Sequence, residues 1–474
     1  MDPTSKQIVV IGGGISGLAA AHRLQELRTE SNSQFEITLL ESSSRLGGSL
    51  QTIERDGFLL EGGADSFISE KPEAIRLSER LGISSRLIET NTEHRRSFIV
   101  RNGQLHPVPE GFHLLAPTRF WPFVTTKIFS WPGKARMALD LVIPRRAENG
   151  SNDESLAQFV RRRLGREAFE RMAQPMVGGI YTADPEKLSL RATLPRFLEM
   201  ERAHGSVIRA MWKQRRNKTQ GTSGARYSLF VSFDHGMEVL IRELSARLQS
   251  FARLNTRVEA LSFDKGLSKW SIRLGDNTIV ADQICLAVPA YAAARLLVNT
   301  DEQLARALQK IEFASTATIN LAYRRSDVPH PLEGFGFVVP YIERRSILAC
   351  TFSSVKFAGR APADHVLLRA FVGGALQPEM FELDETEMLR RACADLRDLL
   401  GITNPPLFTE IKKWRQSMPQ YHLAHLELLA QIEDRVRSLP GLQLAGNSYG
   451  GAGIPDCIRS GETAADKLYS AISS

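Results

Sequence analysis

Short apolar runs of the kind that form buried β-strands alternate with helical patterns along most of the chain. Near the start, the run Gln7–Ile11 precedes a helical pattern from Leu18 to about Leu27, and a second run, Glu36–Leu40, follows. Further strand-like runs lie at Trp270–Leu274, Gln283–Val288, Ala317–Tyr323 and Leu367–Val372. This alternation predicts a mixed α/β fold.

The middle of the chain is predicted to be helical. Glu154–Trp212 carries apolar residues at helical spacing and lies between two polar stretches rich in helix breakers, Arg145–Asp153 and Lys213–Ala225. The second stretch has no apolar periodicity, so we predict an exposed, mobile loop there. Just upstream, Phe112–Trp131 combines many aromatic residues with prolines, which argue against one continuous helix. Two interpretations stay open for this segment: an aromatic surface that enters a membrane interface, or a loop packed on a core.

The composition is that of a globular protein. A length of 474 residues predicts two to three domains of about 150 residues each. The four cysteines form no CxxC pair and predict a reducing compartment, and we expect neither a signal peptide nor a transmembrane helix. The net charge is +7, from 60 Lys and Arg against 53 Asp and Glu. This charge either solubilises the surface or attracts an anionic partner, and no nucleic-acid partner is expected.

A dinucleotide-binding motif stands near the N-terminus. The segment IGGGISG, residues 11–17, matches GxGxxG between the first strand and the first helix of a βαβ unit. Gly12 permits the tight turn, Gly14 lets the backbone approach a pyrophosphate, and Gly17 lets the helix pack closely. Glu41 ends the second strand, where a carboxylate accepts hydrogen bonds from a ribose, and this disfavours NADP.

Further turns of small residues favour FAD over NAD. Arg45 and a pair of glycines follow the ribose-binding strand, and Glu61–Ser66 forms another such turn. Towards the C-terminus, the glycine-rich loop Tyr449–Asp456 leads into a helix, Cys457–Tyr469, whose N-terminal dipole would stabilise negative charge on a reduced flavin. Several contacts of this kind suit a cofactor that is held throughout turnover, so we predict FAD.

Five segments together resemble the porphyrinogen oxidases: IGGGISGLAA, ESSSRLGG, IYTADPEKLS, MPQYHLAH and GAGIPDCIRSGETAAD. That family comprises FAD-dependent protoporphyrinogen IX oxidase and bacterial coproporphyrinogen III oxidase, and it is similar to monoamine oxidases and phytoene desaturases. The resemblance runs over nearly the whole chain. It implies an α/β fold in three parts: a Rossmann-like FAD domain (1–78, 226–290 and 431–474), a mixed-sheet substrate domain (79–104 and 291–430) and an inserted helical, membrane-facing domain (105–215).

The resemblance also assigns cofactor contacts to particular residues. FAD is expected to bind noncovalently, because no cysteine occurs within Trp414–His425. Ser49 stands where the family usually has an arginine. With the residues of the loop that contains Arg45 included, the predicted cofactor-binding residues are the following: Gly12, Gly13, Gly14, Ile15, Ser16, Gly17, Glu41, Ser42, Arg45, Gly48, Ser49, Gly63, Ala64, Asp65, Ser66, Val258, Trp414, Gly451, Ala452 and Gly453.

The substrate site departs from the family at one position. Where some members have an arginine that binds a propionate, this chain has Asp65, so Lys71 and Arg95 are predicted for that task, with plain surface charge as the alternative. Aromatic positions that clamp the substrate in the family correspond to Phe98, Phe335 and Phe371, for which packing in the core is the alternative.

The resemblance implies an oxidase of haem biosynthesis that converts coproporphyrinogen III to coproporphyrin III, or protoporphyrinogen IX to protoporphyrin IX. Six electrons leave in three two-electron steps, and molecular oxygen then reoxidises the flavin and gives peroxide. No acid–base constellation is found, so no side chain is predicted as catalytic. His422 and His425 lack further ligands, so no metal is predicted. A cytoplasmic protein is expected; peripheral membrane contact, a downstream chelatase partner, and monomer or homodimer stay open.

Other functions also stay open. An amine oxidase or carotenoid desaturase of the same superfamily is one alternative, and Tyr421 with Tyr449 would suit an aromatic cage for an amine. A flavin-binding scaffold without turnover is an alternative of another class. The overall pattern, with Asp65 in it, favours the bacterial type that takes coproporphyrinogen III.

Overall fold

A parallel sheet built from both ends of the chain forms the first half of the fold. The computed structural model describes residues 5–113, 116–117, 119–146, 153–218 and 229–473. Five parallel strands lie in the order Ala252–Arg253, Phe35–Leu40, Lys6–Ile11, Gln283–Leu286 and Leu442–Leu444. Ile8 and Val10 pack into one core, whereas Val9 and Ile11 pack into another on the opposite face. Because both faces are covered, these strands read as continuous apolar runs.

A seven-stranded mixed sheet, called the large sheet below, forms the second half. Its strands lie in the order Phe408–Pro419, Phe313–Arg324, His365–Gly373, Ala349–Phe352, Gly336–Val338, Phe98–Arg101 and Gln104–Pro107. Side chains alternate along the strand His365–Gly373: Leu368 and Ala370 enter a core that includes Leu396 of a covering helix, while Arg369 and Phe371 lie on the other face. That second face is turned towards the loop at residues 61–66.

Smaller sheets and helices complete the fold. The remaining strands are Thr52–Arg55, Phe58–Glu61, Phe67–Ile68, Leu87–Glu89, Phe112–His113, Ala116–Pro117, Phe230–Phe233, Ala260–Asp264, Lys269–Leu274 and Asn277–Ala281. The helices and helical turns are Ile15–Ser31, Glu73–Leu81, Ser84–Arg86, Phe120–Thr125, Trp131–Ala138, Leu139–Leu141, Leu156–Arg163, Arg166–Ala168, Phe169–Ala173, Gln174–Tyr181, Leu190–Thr193, Pro195–His204, Val207–Lys218, Glu238–Leu248, Ala290–Leu297, Glu302–Gln309, Arg325–Asp327, Tyr341–Glu343, Ser353–Lys356, Pro378–Glu382, Glu385–Leu400, His425–Arg437, Asn447–Gly450 and Ile454–Ser473. Within the described ranges, none of these helices combines the length and the hydropathy that crossing a bilayer requires.

The mixed α/β prediction is confirmed, and the strand-like runs named above fall in strands of the two main sheets and one small sheet. The helical prediction for the middle of the chain is confirmed as well. The loop prediction for Lys213–Ala225 is wrong over its first six residues, because the helix Val207–Lys218 continues through them. Its Lys, Gln and Arg residues are good helix formers and sustain a helix without apolar periodicity. Residues 219–225 lie outside the described residues, as do 147–152 in the other polar stretch.

The aromatic segment Phe112–Trp131 is not one continuous helix, as predicted; it contains short strands, a short helix and the start of another. Phe123 and Phe129 are buried in the core of the helical region. Three other aromatic side chains are largely exposed: Phe120 at 62%, Trp121 at 73% and Trp131 at 69%. The segment therefore has a packed side and an exposed side, and we call these three residues the aromatic surface.

Candidate functional site

The glycine turn near the N-terminus borders an open groove. Gly12 follows the first strand with φ near +107°, a conformation that favours glycine, and its N–H donates to the Leu40 carbonyl at 2.8 Å. A side chain at Gly17 would overlap the Gly12 carbonyl oxygen, so the helix Ile15–Ser31 needs glycine to pack here. A Cβ at Gly14 would meet no atom within 4 Å. Open space therefore lies in front of a helix N-terminus, where phosphates bind.

Glu41 ties together the loops at the edge of this groove. Its carboxylate accepts the backbone N–H groups of Gly13 and Ser43, each at 2.7 Å. Its backbone carbonyl accepts the N–H of Thr256 at 2.8 Å, which brings the segment containing Val258 to the same edge. Glu41 is only half-buried, so the acid predicted to bind a ribose does lie at an accessible edge of the glycine turn.

The loop after Glu41 packs directly on the glycine turn. The Gly47 N–H donates to the Gly13 carbonyl at 2.8 Å, and a Cβ at Gly48 would lie 3.3 Å from the Gly14 Cα. The guanidinium of Arg45, predicted to supply charge, donates to the carbonyls of Gly48 at 2.8 Å and Leu50 at 2.7 Å. Arg45 thus shapes this loop, and its half-buried guanidinium also lies 3.6 Å from the Glu238 carboxylate.

The C-terminal end of the chain reaches the same place. The helix Ile454–Ser473 packs along the first helix so closely that a Cβ at Gly461 would overlap the Ser16 backbone. Before this helix, Gly451 has φ near +125°, and a Cβ at Gly450 would meet no atom within 4 Å. Two helix N-termini and two glycine segments from opposite ends of the sequence therefore meet. Their unfilled glycine positions fit an extended, phosphate-containing cofactor.

Comparison with known proteins identifies the family. The model of the family described as flavin containing amine oxidoreductase matches residues 15–468 of this chain. The chain belongs to this family. A coproporphyrinogen III oxidase of Bacillus subtilis (strain 168) is 35% identical over 468 residues, which cover 98% of this chain and 98% of that protein. Another coproporphyrinogen III oxidase, from Propionibacterium freudenreichii subsp. freudenreichii, is 35% identical over 99% of this chain and 92% of its own length.

A solved structure agrees with the family assignment. The crystal structure of a candidate protoporphyrinogen oxidase from Exiguobacterium sp. 255-15 superposes with a TM-score of 0.87 at 30% sequence identity, covering 99% of this chain and 100% of that one. As a flavin-containing amine oxidoreductase, the protein is an FAD-dependent oxidoreductase. The groove between the two glycine segments is where its residues fit the dinucleotide part of FAD.

The loop at residues 61–66 connects this groove to the large sheet. The Gly62 carbonyl accepts the Thr318 hydroxyl at 2.9 Å and the Trp414 indole N–H at 2.8 Å. The Asn320 amide donates to the Glu61 carbonyl at 3.1 Å. Trp414, predicted to pack on the flavin, is therefore anchored at the loop that holds Gly63 and Ala64. These hydrogen bonds set the position of the loop relative to the sheet.

A cluster of buried and half-buried charges surrounds the loop. Asp65 lies 2.9 Å from the Lys356 ammonium, and its carboxylate also accepts the Ser66 hydroxyl at 2.8 Å. Burial alone would raise the pKa of Asp65, but Lys356 and Arg369 outweigh it and hold that pKa below its usual range. Asp65 is thus an ionised, paired carboxylate. Arg360, from the segment after Lys356, also lies among these charges and is buried.

The sequence did not identify the three cations of this cluster. Lys356, Arg360 and Arg369 stand 290 or more residues from Asp65 along the chain, and only the fold brings them to it. One signal was available for Arg369: it is a single charged residue inside the apolar strand His365–Gly373, two positions before Phe371. A charge at an inward position of a buried strand indicates a specific partner or a function.

Glu61 gives the protein a pH-dependent stability. Burial raises its pKa to about 7 from the ordinary 4.5, against the hydrogen bonds from Met237 and Thr52 that favour the carboxylate. The stability that protonated Glu61 contributes is therefore complete below pH 4.5 and is lost as the pH rises through 7. We expect Glu61→Gln to remove a pH dependence of about 3 kcal/mol from the unfolding free energy.

Urea unfolding of the FAD-loaded protein at pH 5 and pH 8 measures this effect. Glu54→Gln is the matched control, since Glu54 is exposed on the neighbouring strand Thr52–Arg55. From pH 5 to pH 8, the unfolding free energy should fall more in wild type and in Glu54→Gln than in Glu61→Gln. An equal change in unfolding free energy in all three proteins would contradict a raised pKa of Glu61.

The predicted substrate-binding residues lie in different surroundings. Lys71 donates to the buried carboxylate of Asp456 at 2.6 Å, and Arg95 is an exposed side chain 3.7 Å from Glu89. Phe98 is buried in the core of the large sheet, edge-on to His330, whereas two aromatic side chains are only half-buried: Phe335 and Phe371. The structure thus brings Phe371 beside the loop at residues 61–66, and it places Phe98 in the core.

One of the two tyrosines considered for an amine cage, Tyr421, is held in other contacts. Tyr421 is buried, and its ring stacks on His425 at a centroid distance of 4.5 Å and an interplanar angle of 21°. Its hydroxyl donates to the Asn447 carbonyl, in the turn before the C-terminal glycine loop. Because His425 covers one face of Tyr421, this ring positions the glycine loop and does not offer that face to an amine. Burial lowers the pKa of His425 to about 4, so its imidazole is neutral at pH 7.

Proposed function

We propose that the protein is a porphyrinogen oxidase of haem biosynthesis, with coproporphyrinogen III as its substrate. One observation carries the proposal: two relatives named coproporphyrinogen III oxidase are each 35% identical over 98% or more of this chain. A groove for FAD and an adjoining sheet face with aromatic and cationic side chains support it.

In this proposal the chain binds and orients a flat, apolar ring that carries carboxylates. FAD supplies an acceptor for two electrons and a proton at each of three turns, and molecular oxygen is the final electron acceptor. Phe335 and Phe371 offer half-buried aromatic surface to the ring. Asp65 is already paired with Lys356, so it does not compete for cations with substrate carboxylates. The product would pass to a chelatase, and we place the reaction in the cytoplasm.

A direct assay tests the proposed activity. Each porphyrinogen is supplied anaerobically to the FAD-loaded protein, oxygen is admitted, and porphyrin fluorescence is followed against the spontaneous rate. We expect fluorescence to rise faster with coproporphyrinogen III than with protoporphyrinogen IX. If neither porphyrinogen is oxidised above the spontaneous rate while an amine bleaches the flavin, the protein is an amine oxidase instead.

We also propose that the aromatic surface contacts an anionic membrane. Phe120 and Trp121 lie edge-to-face at 5.7 Å between ring centroids, and Trp131 has the Lys134 ammonium 4.5 Å above its ring. Lys127, on the same segment, is exposed. The Lys134 ammonium is buried and donates to the Val124 carbonyl, so Lys127 is the exposed cation here. Exposed aromatic rings on the same segment as an exposed cation suit the interface of an anionic bilayer, where tryptophan is enriched.

Flotation with vesicles measures this contact. We expect the triple variant Phe120→Ser, Trp121→Ser and Trp131→Ser to lose at least tenfold in the fraction that floats with phosphatidylglycerol vesicles. The matched control replaces Leu267 and Val280 by serine, since these side chains are exposed at 71% and 55% on a different part of the surface. Equal losses in both variants, or no binding by the wild type, would refute the membrane proposal.

A further inference from the structure

Arg369 is a buried cation beside the loop at residues 61–66. It lies on the strand His365–Gly373 of the large sheet, on the face turned towards the loop at residues 61–66, and is 3% exposed. One arm of its guanidinium donates to the Gly63 carbonyl, and its Cζ lies 4.8 Å from the ring centroid of Phe371. Its Nε is buried and finds no hydrogen-bond acceptor among the described residues. The guanidinium is thus held in place but incompletely satisfied.

The two acids near Arg369 are engaged by other groups. The Asp65 carboxylate accepts the Lys356 ammonium at 2.9 and 3.1 Å. The Glu61 carboxylate accepts the Met237 N–H at 2.8 Å and the Thr52 hydroxyl at 2.9 Å. Both acids attract Arg369 through space, yet within the described chain neither forms an ion pair with it. Around the loop, three cations therefore face two acids, and among the described residues neither Arg360 nor Arg369 forms an ion pair; of these two, only Arg369 has a buried nitrogen without an acceptor.

Arg360 shows how this fold satisfies a buried guanidinium that is only structural. Its two terminal nitrogens donate to the Asp234 carbonyl at 3.0 Å, the Ser232 hydroxyl at 2.9 Å and the Phe233 carbonyl at 2.8 Å. All three acceptors belong to one neighbouring segment. A buried charge that lacks such a set costs several kcal/mol unless an anion approaches it. The Arg369 Nε lacks an acceptor, and the guanidinium lies beside Gly63 and Phe371, where we propose that flavin and substrate bind.

We propose that Arg369 binds an anion of the working enzyme, a negative charge that arrives beside Gly63 only when cofactor and substrate are present. Two sources share this chemistry. A hydride carries two electrons and one proton, so its transfer from a substrate C–H bond leaves one negative charge on the reduced flavin ring. The other source is a carboxylate of the porphyrinogen, and this second source alone rests on the proposed function.

The flavin midpoint potential tests the first source without any porphyrinogen. Dye-linked reduction of the FAD-loaded protein is compared in wild type, Arg369→Gln and Arg360→Gln. If Arg369 faces the reduced ring, Arg369→Gln should lower the equilibrium constant for reduction at least tenfold, which is about 30 mV for a two-electron couple. The matched control Arg360→Gln removes a buried guanidinium that is satisfied elsewhere, so its change should stay below about threefold.

A second variant keeps the test decisive if Arg369→Gln does not fold. Asp65→Asn removes the acid that faces the same cations, so it leaves the loop more positive. The potential should then move in the opposite direction, towards easier reduction. A lower flavin midpoint potential in Asp65→Asn than in wild type would show that the anion bound by Arg369 is not the reduced flavin ring.

The Michaelis constant tests the second source. Porphyrinogen with free carboxylates is compared with the same porphyrinogen esterified, in wild type and Arg369→Gln. A rise of at least tenfold in KM for the free acid alone, with kcat and the potential unchanged, assigns the anion to the substrate. Unchanged potentials together with unchanged KM values would overturn the proposal. Failure of the wild type to oxidise any porphyrinogen would refute the proposed function and leave the potential measurement intact.

Discussion

Replacing Gly14 by valine is expected to give a folded protein that has lost its yellow colour. A Cβ at this position meets no protein atom within 4 Å, so the fold can accept the larger side chain. The same space is the path by which a pyrophosphate approaches the N-terminus of the helix Ile15–Ser31. Valine fills this path, and we expect FAD affinity to fall at least a hundredfold, measured by flavin absorbance of the purified protein and by titration of the apoprotein with FAD.

Two further variants separate loss of the cofactor from loss of the fold. Gly266→Val changes a glycine in the exposed turn before the strand Lys269–Leu274 and should keep full flavin content. Gly17→Val forces a side chain into the Gly12 carbonyl and should destabilise the protein itself. A fully flavinated Gly14→Val protein would show that the N-terminal glycine turn is not the pyrophosphate site.

Replacing Asp140 by alanine is expected to cost about 3 kcal/mol of unfolding free energy, because it removes the nearer of the two carboxylates that pair with the buried Arg163 and leaves only Glu201, at 3.4 Å. Asp140 and Arg163 are both 0% exposed, and the Arg163 Nε donates to the Asp140 carboxylate at 2.6 Å. The same carboxylate accepts the Ser206 hydroxyl at 2.6 Å and the Ile208 N–H at 3.0 Å. One side chain thus joins three segments of the helical region.

Denaturant unfolding of the FAD-loaded protein checks this prediction. Glu170→Ala is the matched control: Glu170 pairs with Arg166, a side chain exposed at 82%, one turn away on the same helical segment. Exposed pairs of this kind contribute about 0.3–0.5 kcal/mol. Equal losses of unfolding free energy in Asp140→Ala and Glu170→Ala would show that the buried ion pair stabilises the protein no more than the exposed one.

Local patterns were sufficient to predict the βαβ unit at the N-terminal end of the chain. The glycine turn at Gly12–Gly17 and the acid at Glu41 lie within one βαβ unit, whose geometry follows from about 40 consecutive residues. Two of its glycines are required by contacts inside or next to that unit: Gly17 packs against the Gly12 carbonyl, and Gly13 packs against Glu41 and Leu46. The sequence pattern of this unit is therefore enough to predict its local structure.

The surroundings of the loop at residues 61–66 could not be predicted in this way. Asp65 was predicted to contact the cofactor, but its ion pair with Lys356 joins residues 291 positions apart. Lys71 was predicted for a propionate, and its ammonium instead meets Asp456, 385 positions away. Long charged side chains reach whichever opposite charge the fold brings near them. Their partners therefore depend on the packing of the two sheets, which no local pattern records.

Sequence alone determined the α/β class, the glycine turn after the first strand and the resemblance to porphyrinogen oxidases, because these depend on short segments. The tertiary structure decided which charges stand opposite one another. It placed Phe98 in a core, left Phe120 and Trp121 exposed, and buried Arg369 beside Gly63 without a carboxylate partner. These outcomes depend on pairings between distant strands and helices, and a side chain's charge or apolarity acquires its role only when those pairings form.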